Sequence, residues 1–289
     1  MSVVYCLMPK VRRYCLVILA LTSFSCSNDD KAIKIKGSDT EVNVVVRLAE
    51  HFYKVNKNFS VAISGGGSGL GIASLLNGQA DIANSSRPLT LEEDSLFKFR
   101  KIQIRTVVFA EDATAFIVRK DFPLDSIDVT ALANVLSGRY ETWEPLTGKD
   151  IPVNIYGRQS NSGTHSFVSH KLKIQFSRDA KEMNGNAQIL EGVKMDASGI
   201  GYVGTGYILH DGTDQPVKVL KIIGGNGLHA VSPLDRSAIL SRHYYFQRPL
   251  YQFILASSWE KALPFISFEK GTDGQQIIQD AGYYVLPEN

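Results

Sequence analysis

Val153-Asn154-Ile155-Tyr156-Gly157-Arg158-Gln159-Ser160-Asn161-Ser162-Gly163-Thr164 passes from an apolar run into a loop of small polar residues. Phe167, Val168 and Leu172 follow at helical spacing, so the stretch reads as strand, loop and helix in succession. The same order occurs twice earlier. Ala32-Ile33-Lys34-Ile35-Lys36 alternates like a strand and runs into Gly37-Ser38-Asp39-Thr40. Val42, Val45, Val46, Leu48, Ala49, Phe52 and Tyr53 then recur every three or four residues. Asp39 or Thr40 stands where an N-cap belongs. Residues 59–63 form the next strand, before Ser64-Gly65-Gly66-Gly67-Ser68-Gly69-Leu70-Gly71 and a helix through Ile72, Leu75 and Leu76. Three such units predict an α/β architecture with binding loops at the carboxyl ends of strands.

The remaining segments fit this frame. Residues 106–110 and 115–118 read as one long apolar strand interrupted by Glu111-Asp112. Residues 126–135 read as an amphipathic helix ended by Gly138. Residues 244–254 read as a second long strand, and Pro249 within it predicts an edge or a crossing.

Composition narrows the class. With 289 residues, 44% hydrophobic and 21% charged, the chain is neither disordered, collagen-like nor coiled coil. A net charge of +2 gives no bulk attraction for nucleic acid. The three cysteines, Cys6, Cys15 and Cys26, all lie in the first 26 residues, which excludes a C-x-x-C site or a disulfide framework in the body. Lys10, Arg12 and Arg13 precede an apolar run at 14–24, too short to span a bilayer, so residues 1–25 are expected to be an export signal. Ser23-Phe24-Ser25-Cys26 resembles a bacterial lipobox, with Cys26 the lipidated anchor and residues 26–32 a tether. Three of the 31 basic residues and none of the 29 acidic ones lie in the leader, which leaves a mature body of net charge −1.

The loops carry the chemistry. A helix N-terminus offers unpaired N–H donors and about half a positive charge, and Ser and Thr hydroxyls add donors. Three such termini, one with Arg158 four residues before Ser162, point to an oxyanion. Enzymatic patterns do not match. No lysine follows the Gly-rich run as a nucleotide phosphate loop needs, and Leu70 stands where G-x-S-x-G needs glycine. His165 and His170 lack H-E-x-x-H spacing, and the acidic residues show no metal-loop spacing, so neither metal nor cofactor is expected.

Four motifs in order resemble the phosphate-binding component of high-affinity phosphate ABC importers. They are Gly37-Ser38-Asp39-Thr40, Ser64-Gly65-Gly66-Gly67-Ser68-Gly69, Ala80-Asp81-Ile82-Ala83-Asn84-Ser85-Ser86-Arg87-Pro88 and the Arg158 to Thr164 loop. Ile200-Gly201-Tyr202-Val203-Gly204, Arg248-Pro249-Leu250-Tyr251 and the 269–282 segment match as well. The resemblance implies a two-lobed type II periplasmic-binding fold closing around one phosphate, with lobe I from 33–111 and 247–289 and lobe II from 112–246. It implies phosphate ligands at Thr40, the Glu41 amide, Ser68, Arg158, Ser162, Gly163 and Thr164. It further implies a lipid-anchored extracytoplasmic monomer that delivers phosphate to a membrane permease without catalysing a reaction. One position departs from the better-known branch, where an aspartate accepts the phosphate proton; here Ser86 and Arg87 stand there. A carboxylate acceptor is what separates protonated phosphate from sulfate, and Asp112 is the expected substitute, with Arg87 adding charge compensation. The competing readings are a receptor for sulfate or molybdate and a secreted phosphoryl-transfer or hydrolytic enzyme using a loop serine.

Overall fold

The computed structural model describes residues 32–208, 217–224 and 229–285. The expected leader, the anchor Cys26 and the tether up to residue 31 lie outside them. The chain divides into Met1–Ala32 and Ile33–Asn289, and the second unit carries the architecture, β1 starting on the boundary residue.

In β1 (Ala32–Gly37) the alternation sends Ile33 and Ile35 inward, as the sequence predicts. Helix α1 (Asp39–Val55) buries Val44, Val45, Leu48 and Phe52 at intervals of three and four. Its N-cap is Ser38 rather than Asp39 or Thr40, which frees both side chains for other partners. Then come β2 (Ser60–Ser64), α2 (Ser68–Leu76), β3 (Ile82–Ser85) and α3 (Leu91–Phe99), the last opened by a Thr90/Glu93 capping box. Strand β4 (Ile104–Arg119) is continuous through Glu111-Asp112.

The expected helix at 126–135 is two elements. Ser126–Asp128 is strand β5 with Ile127 buried, and the Asp128 carboxylate accepts from the Thr130 and Ala131 amides to start α4 (Val129–Leu136). The chain continues through α5 (Glu144–Thr147), β6 (Asn154–Arg158), α6 (Gly163–Leu172), β7 (Lys181–Met183), α7 (Asn186–Met195) and β8 (Gly199–Gly204). Strands β9 (Val217–Val219), β10 (Lys221–Ile223) and β11 (Ala230–Val231) precede α8 (Arg236–Leu240) and β12 (Gln247–Leu255). Helices α9 (Trp259–Lys270) and α10 (Thr272–Asp280) close the fold.

The main sheet runs β2-β1-β3-β12-β4-β8-β6-β7, with β9 also on β4; β11-β10-β5 form a small second sheet. Within each half the βα units pair in parallel, β1 with β3 and β6 with β7 and β8. The antiparallel strands β4 and β12 join the halves. One core gathers Ile35, Val45, Leu48, Ile82 and Phe265 around α1 and α9. The other gathers Phe116, Leu132, Trp143, Val168 and Tyr202 around α4 and α6. Strand β4 serves both, Val107 and Phe109 in the first and Phe116 and Val118 in the second. Pro249 therefore sits at a crossing, mid-sheet: it faces Glu111, next to a bulge between Leu250 and Tyr251 that relaxes the ladder its missing N–H would interrupt. Asp112 and Arg248 are register partners at this crossing. Among the described residues, no helix is long and apolar enough to cross a membrane.

Candidate functional site

The starts of α1, α2 and α6 meet at the crossing of β4 and β12. Thr40 Oγ1 lies 3.1 Å from Thr164 Oγ1, which joins the first unit to the third. Gly69 N donates to Asn161 O at 3.0 Å, and Asn161 Nδ2 to Gly66 O at 3.1 Å, joining the second to the third. Gly67 holds φ at 102°, a left-handed backbone open to glycine, as the Gly-rich loop turns into α2. Gly163 is required by contact instead: a Cβ there would stand 2.3 Å from Ser68 Oγ and 2.5 Å from Ser86 Oγ. The Ser86 amide donates to Ser68 Oγ at 3.1 Å. Thr40, Ser68, Ser86, Gly163 and Thr164 thus form one buried cluster.

Ser162 caps α6, its hydroxyl oxygen accepting from the Thr164 and His165 amides at 3.2 and 3.4 Å, which leaves its O–H to donate. The Glu41 amide leans on Ser38 O at 3.2 Å, within the first turn of α1.

Two arginines enter the cluster. Arg158, at the end of β6, donates through Nη1 to Asp39 Oδ2 at 3.3 Å and through Nη2 to Asn184 O at 3.0 Å. Burial pulls its pKa down while the Asp39 charge pulls it up. Asp39 Oδ2 also accepts from Asn186 N at 2.8 Å and Nδ2 at 2.7 Å. The second arginine, Arg248, is absent from the sequence-derived set. Its Nη2 donates to Thr164 Oγ1 at 3.0 Å and Thr40 Oγ1 at 3.4 Å, and its Nε and Nη2 to Asp112 Oδ2 at 3.0 and 2.8 Å. Its guanidinium also stacks over the Phe167 ring, 5.2 Å from the centroid. Its sequence signals are an arginine before a proline in a strand running into the core and its place in the family-like Arg248-Pro249-Leu250-Tyr251 stretch. Arg158 Nε and Arg248 Nη1 are both buried and have no protein acceptor.

Two of the expected site residues, Asp112 and Arg87, are engaged by protein partners. Asp112 Oδ2 takes both Arg248 donors, and Oδ1 takes Thr205 N and Oγ1 at 3.3 and 3.4 Å. The one proton of the Thr205 hydroxyl also has Gly282 O at 3.1 Å, so Oδ1 is only partly engaged, while Oδ2 is taken up by Arg248 and holds that guanidinium in place. Burial pushes its pKa up in spite of Arg248 and Thr205. Arg87 lies apart from the cluster: its Nη1 and Nη2 grip Glu93 at 2.7 Å each, and Nη1 also reaches Pro88 O at 2.9 Å. It lines a cavity of about 760 Å³ between the segments after Ser86 and after Thr164, with Leu91, Phe167 and Lys171.

Comparisons with known proteins bear on the family and the fold. The chain is 28% identical over 93% of its length, and 96% of the relative's, to the phosphate-binding protein PstS of Borreliella burgdorferi. Protein SphX of Synechococcus elongatus is 27% identical over 87% of the chain and 76% of its own length. A solved phosphate ABC transporter substrate-binding protein of Clostridium perfringens, with bound phosphate, superposes with a TM-score of 0.78 at 23% identity. That superposition covers 89% of this chain and 100% of the other. The fold is that of the two-lobed type II periplasmic-binding proteins. A family model described as a PBP superfamily domain matches residues 25–255, and the chain belongs to that superfamily.

Proposed function

We propose that the protein is an extracytoplasmic receptor that binds inorganic phosphate between its lobes and delivers it to an ABC importer. The observation that carries this reading is the pair of buried donors without acceptors, Arg158 Nε and Arg248 Nη1, set where three helix starts converge. Buried polar groups are hydrogen-bonded as a rule, and two guanidinium donors beside helix N-termini and threonine hydroxyls fit an oxyanion. The names of the relatives select phosphate among oxyanions.

In this reading Thr40, the Glu41 amide, Ser68, Ser86, Ser162, Gly163 and Thr164 supply neutral donors, and Arg158 and Arg248 the charge. Asp112 acts through Arg248, and Asp39 through Arg158. Arg87 serves the cleft mouth through Glu93. The lobes are 33–111 with 247–289, and 112–246, pivoting on β4 and β12. The receptor performs no chemistry on its ligand. Ser68 Oγ and Ser162 Oγ accept from backbone amides, and the His165 ring packs tilted against Phe176 with centroids 4.6 Å apart. Cys26 anchors the monomeric protein to the membrane that holds its permease.

Calorimetric titration of the ligand-stripped protein with phosphate and then sulfate tests the reading. Stoichiometric phosphate binding tighter than millimolar, without turnover, is expected. Sulfate binding alone moves the assignment to another oxyanion, and no binding of either overturns it.

A further inference from the structure

The cleft has donors in excess; immediately behind it, acceptors are in excess. Glu41 follows Thr40 in the first turn of α1, yet its side chain is fully buried, neither carboxyl oxygen makes a well-aligned hydrogen bond, and the Ser38 hydroxyl is the donor beside it. Glu269 on α9 is 1% exposed; its Oε1 accepts from Gln252 Nε2 at 3.1 Å, and its Oε2 has no partner. Gln252 on β12 and Asn84 on β3 are register partners, so their side chains share one face of the sheet. Gln252 Oε1 and Asn84 Oδ1 are buried and unpartnered too.

The groups facing Glu41 repair this only in part, through the Ser38 hydroxyl. They are Ser38 from its own loop, Arg248 from β12, Asp112 from β4, Glu269 from α9 and Tyr283 beyond α10. The Tyr283 hydroxyl is spent on Thr40 O, and Arg248 gives Nε and Nη2 to Asp112. One guanidinium, already paired with Asp112, faces Glu41 as well, and among the described residues none faces Glu269. Ionised Glu41 and Glu269 would be two charges out of water without a counter-ion, whereas each protonated carboxyl adds the donor that the cluster lacks. Burial accordingly drives Glu41 well above the usual carboxyl range and Glu269 up to about 8.

Resting on the phosphate reading above, we infer that Glu41 and Glu269 form a proton-binding site linked to the anion cleft, so that phosphate binding and proton binding favour each other. Arg248 is the link, because its guanidinium touches Thr40 and Thr164 on the cleft side and faces Glu41 on the other. A phosphate dianion at Arg248 offsets the positive field that favours ionised Glu41, so Glu41, which also feels Glu269, holds its proton more tightly. By reciprocity, a protonated pair leaves Arg248 free to attract the anion.

Two measurements test this. The first is phosphate titration in alkaline solution, where phosphate is dianionic, in two buffers of different ionisation heat. The protein should take up a fraction of a proton per phosphate, with affinity falling several-fold as pH rises, and Glu41→Gln should lose the uptake. Zero uptake, or equal uptake in Glu41→Gln, overturns the linkage. The second needs no phosphate: infrared difference spectra between neutral and alkaline pH should show loss of a carboxylic-acid C=O band. That band should shrink in Glu269→Gln and in Glu41→Gln. Absence of the band overturns the proton site even where phosphate binds. If the band is present but phosphate does not bind, the linkage falls with the receptor reading while the protonated pair stands.

Discussion

At the scale of single residues, Arg248 decides most. It neutralises a fully buried aspartate and still presents Nη1 without an acceptor. Removing its charge strands Asp112, so Arg248→Met should destabilise the protein by about 3–5 kcal/mol and abolish phosphate binding. Pairing it with Asp112→Asn should recover much of the stability but none of the binding, which separates the two roles by calorimetry and thermal melting. Glu269 gives a pH prediction of definite sign. Its carboxyl titrates at 4.5 when unperturbed and at about 8 in the fold, so between these values the folded protein keeps a proton that the unfolded chain has released. Stability should therefore fall as pH rises through that window, by up to about 1.4 kcal/mol per pH unit, and level off above it. Glu269→Gln should remove that contribution and be the more stable protein at pH 8; a wild-type melting temperature independent of pH across the window contradicts the assignment. Both residues lie in stretches that resemble the phosphate-binding family, yet neither stands out there as a site residue. Arg248 reads as a strand residue because its partners Thr40, Asp112 and Thr164 lie 208, 136 and 84 positions away, and Glu269 reads as one more charged residue on a helix.

At the scale of elements, the strand–loop–helix units were legible because periodicity and small polar loops are local properties. Where they failed, a neighbouring strand decided: Ser126–Asp128 is a strand because β10 pairs with it, and Asp128 then caps α4. The start of α6 shows how an element delivers function. Ser162→Ala removes the oxygen that accepts two helix amides and should cost about 1 kcal/mol, with weaker phosphate binding because Thr164 is held less firmly. Gly163→Ala should differ in kind. Its Cβ meets the serine hydroxyls of Ser68 and Ser86 rather than its own helix, so each half folds while the halves are kept apart. Near-native melting together with loss of phosphate binding is the expected pair of results. A melting temperature lowered as far as by a core truncation would place the clash inside one half instead.

At the scale of the whole molecule, the proposed closure rests on a few bonds between loops that belong to different cores. Thr40 meets Thr164, Asp39 meets Arg158 and Asn186, the Tyr207 hydroxyl donates to Asp39 O at 2.8 Å, and Asn161 bonds Gly66 and Gly69. The sequence reading named Thr40, Thr164 and Arg158, but as ligand donors, and Asp39 as a cap. That they also bridge the halves becomes visible only when the three helix starts are brought together. Each bridge biases an open–closed equilibrium, and ligand affinity is scaled by the fraction of molecules already closed. Asn161→Ala isolates that effect because it removes one uncharged bridge, Nδ2 to Gly66 O, while the backbone bond from Gly69 remains. One such hydrogen bond is worth about 1 kcal/mol, so phosphate affinity should fall by about fivefold. The loss should appear as faster release at an unchanged association rate, because the open form that meets the ligand is untouched. In small-angle scattering, the ligand-free variant should have a larger radius of gyration than wild type, and saturating phosphate should bring both to the same value. Equal radii without phosphate, or a loss confined to the association rate, would show that Asn161 holds no share of the closed state.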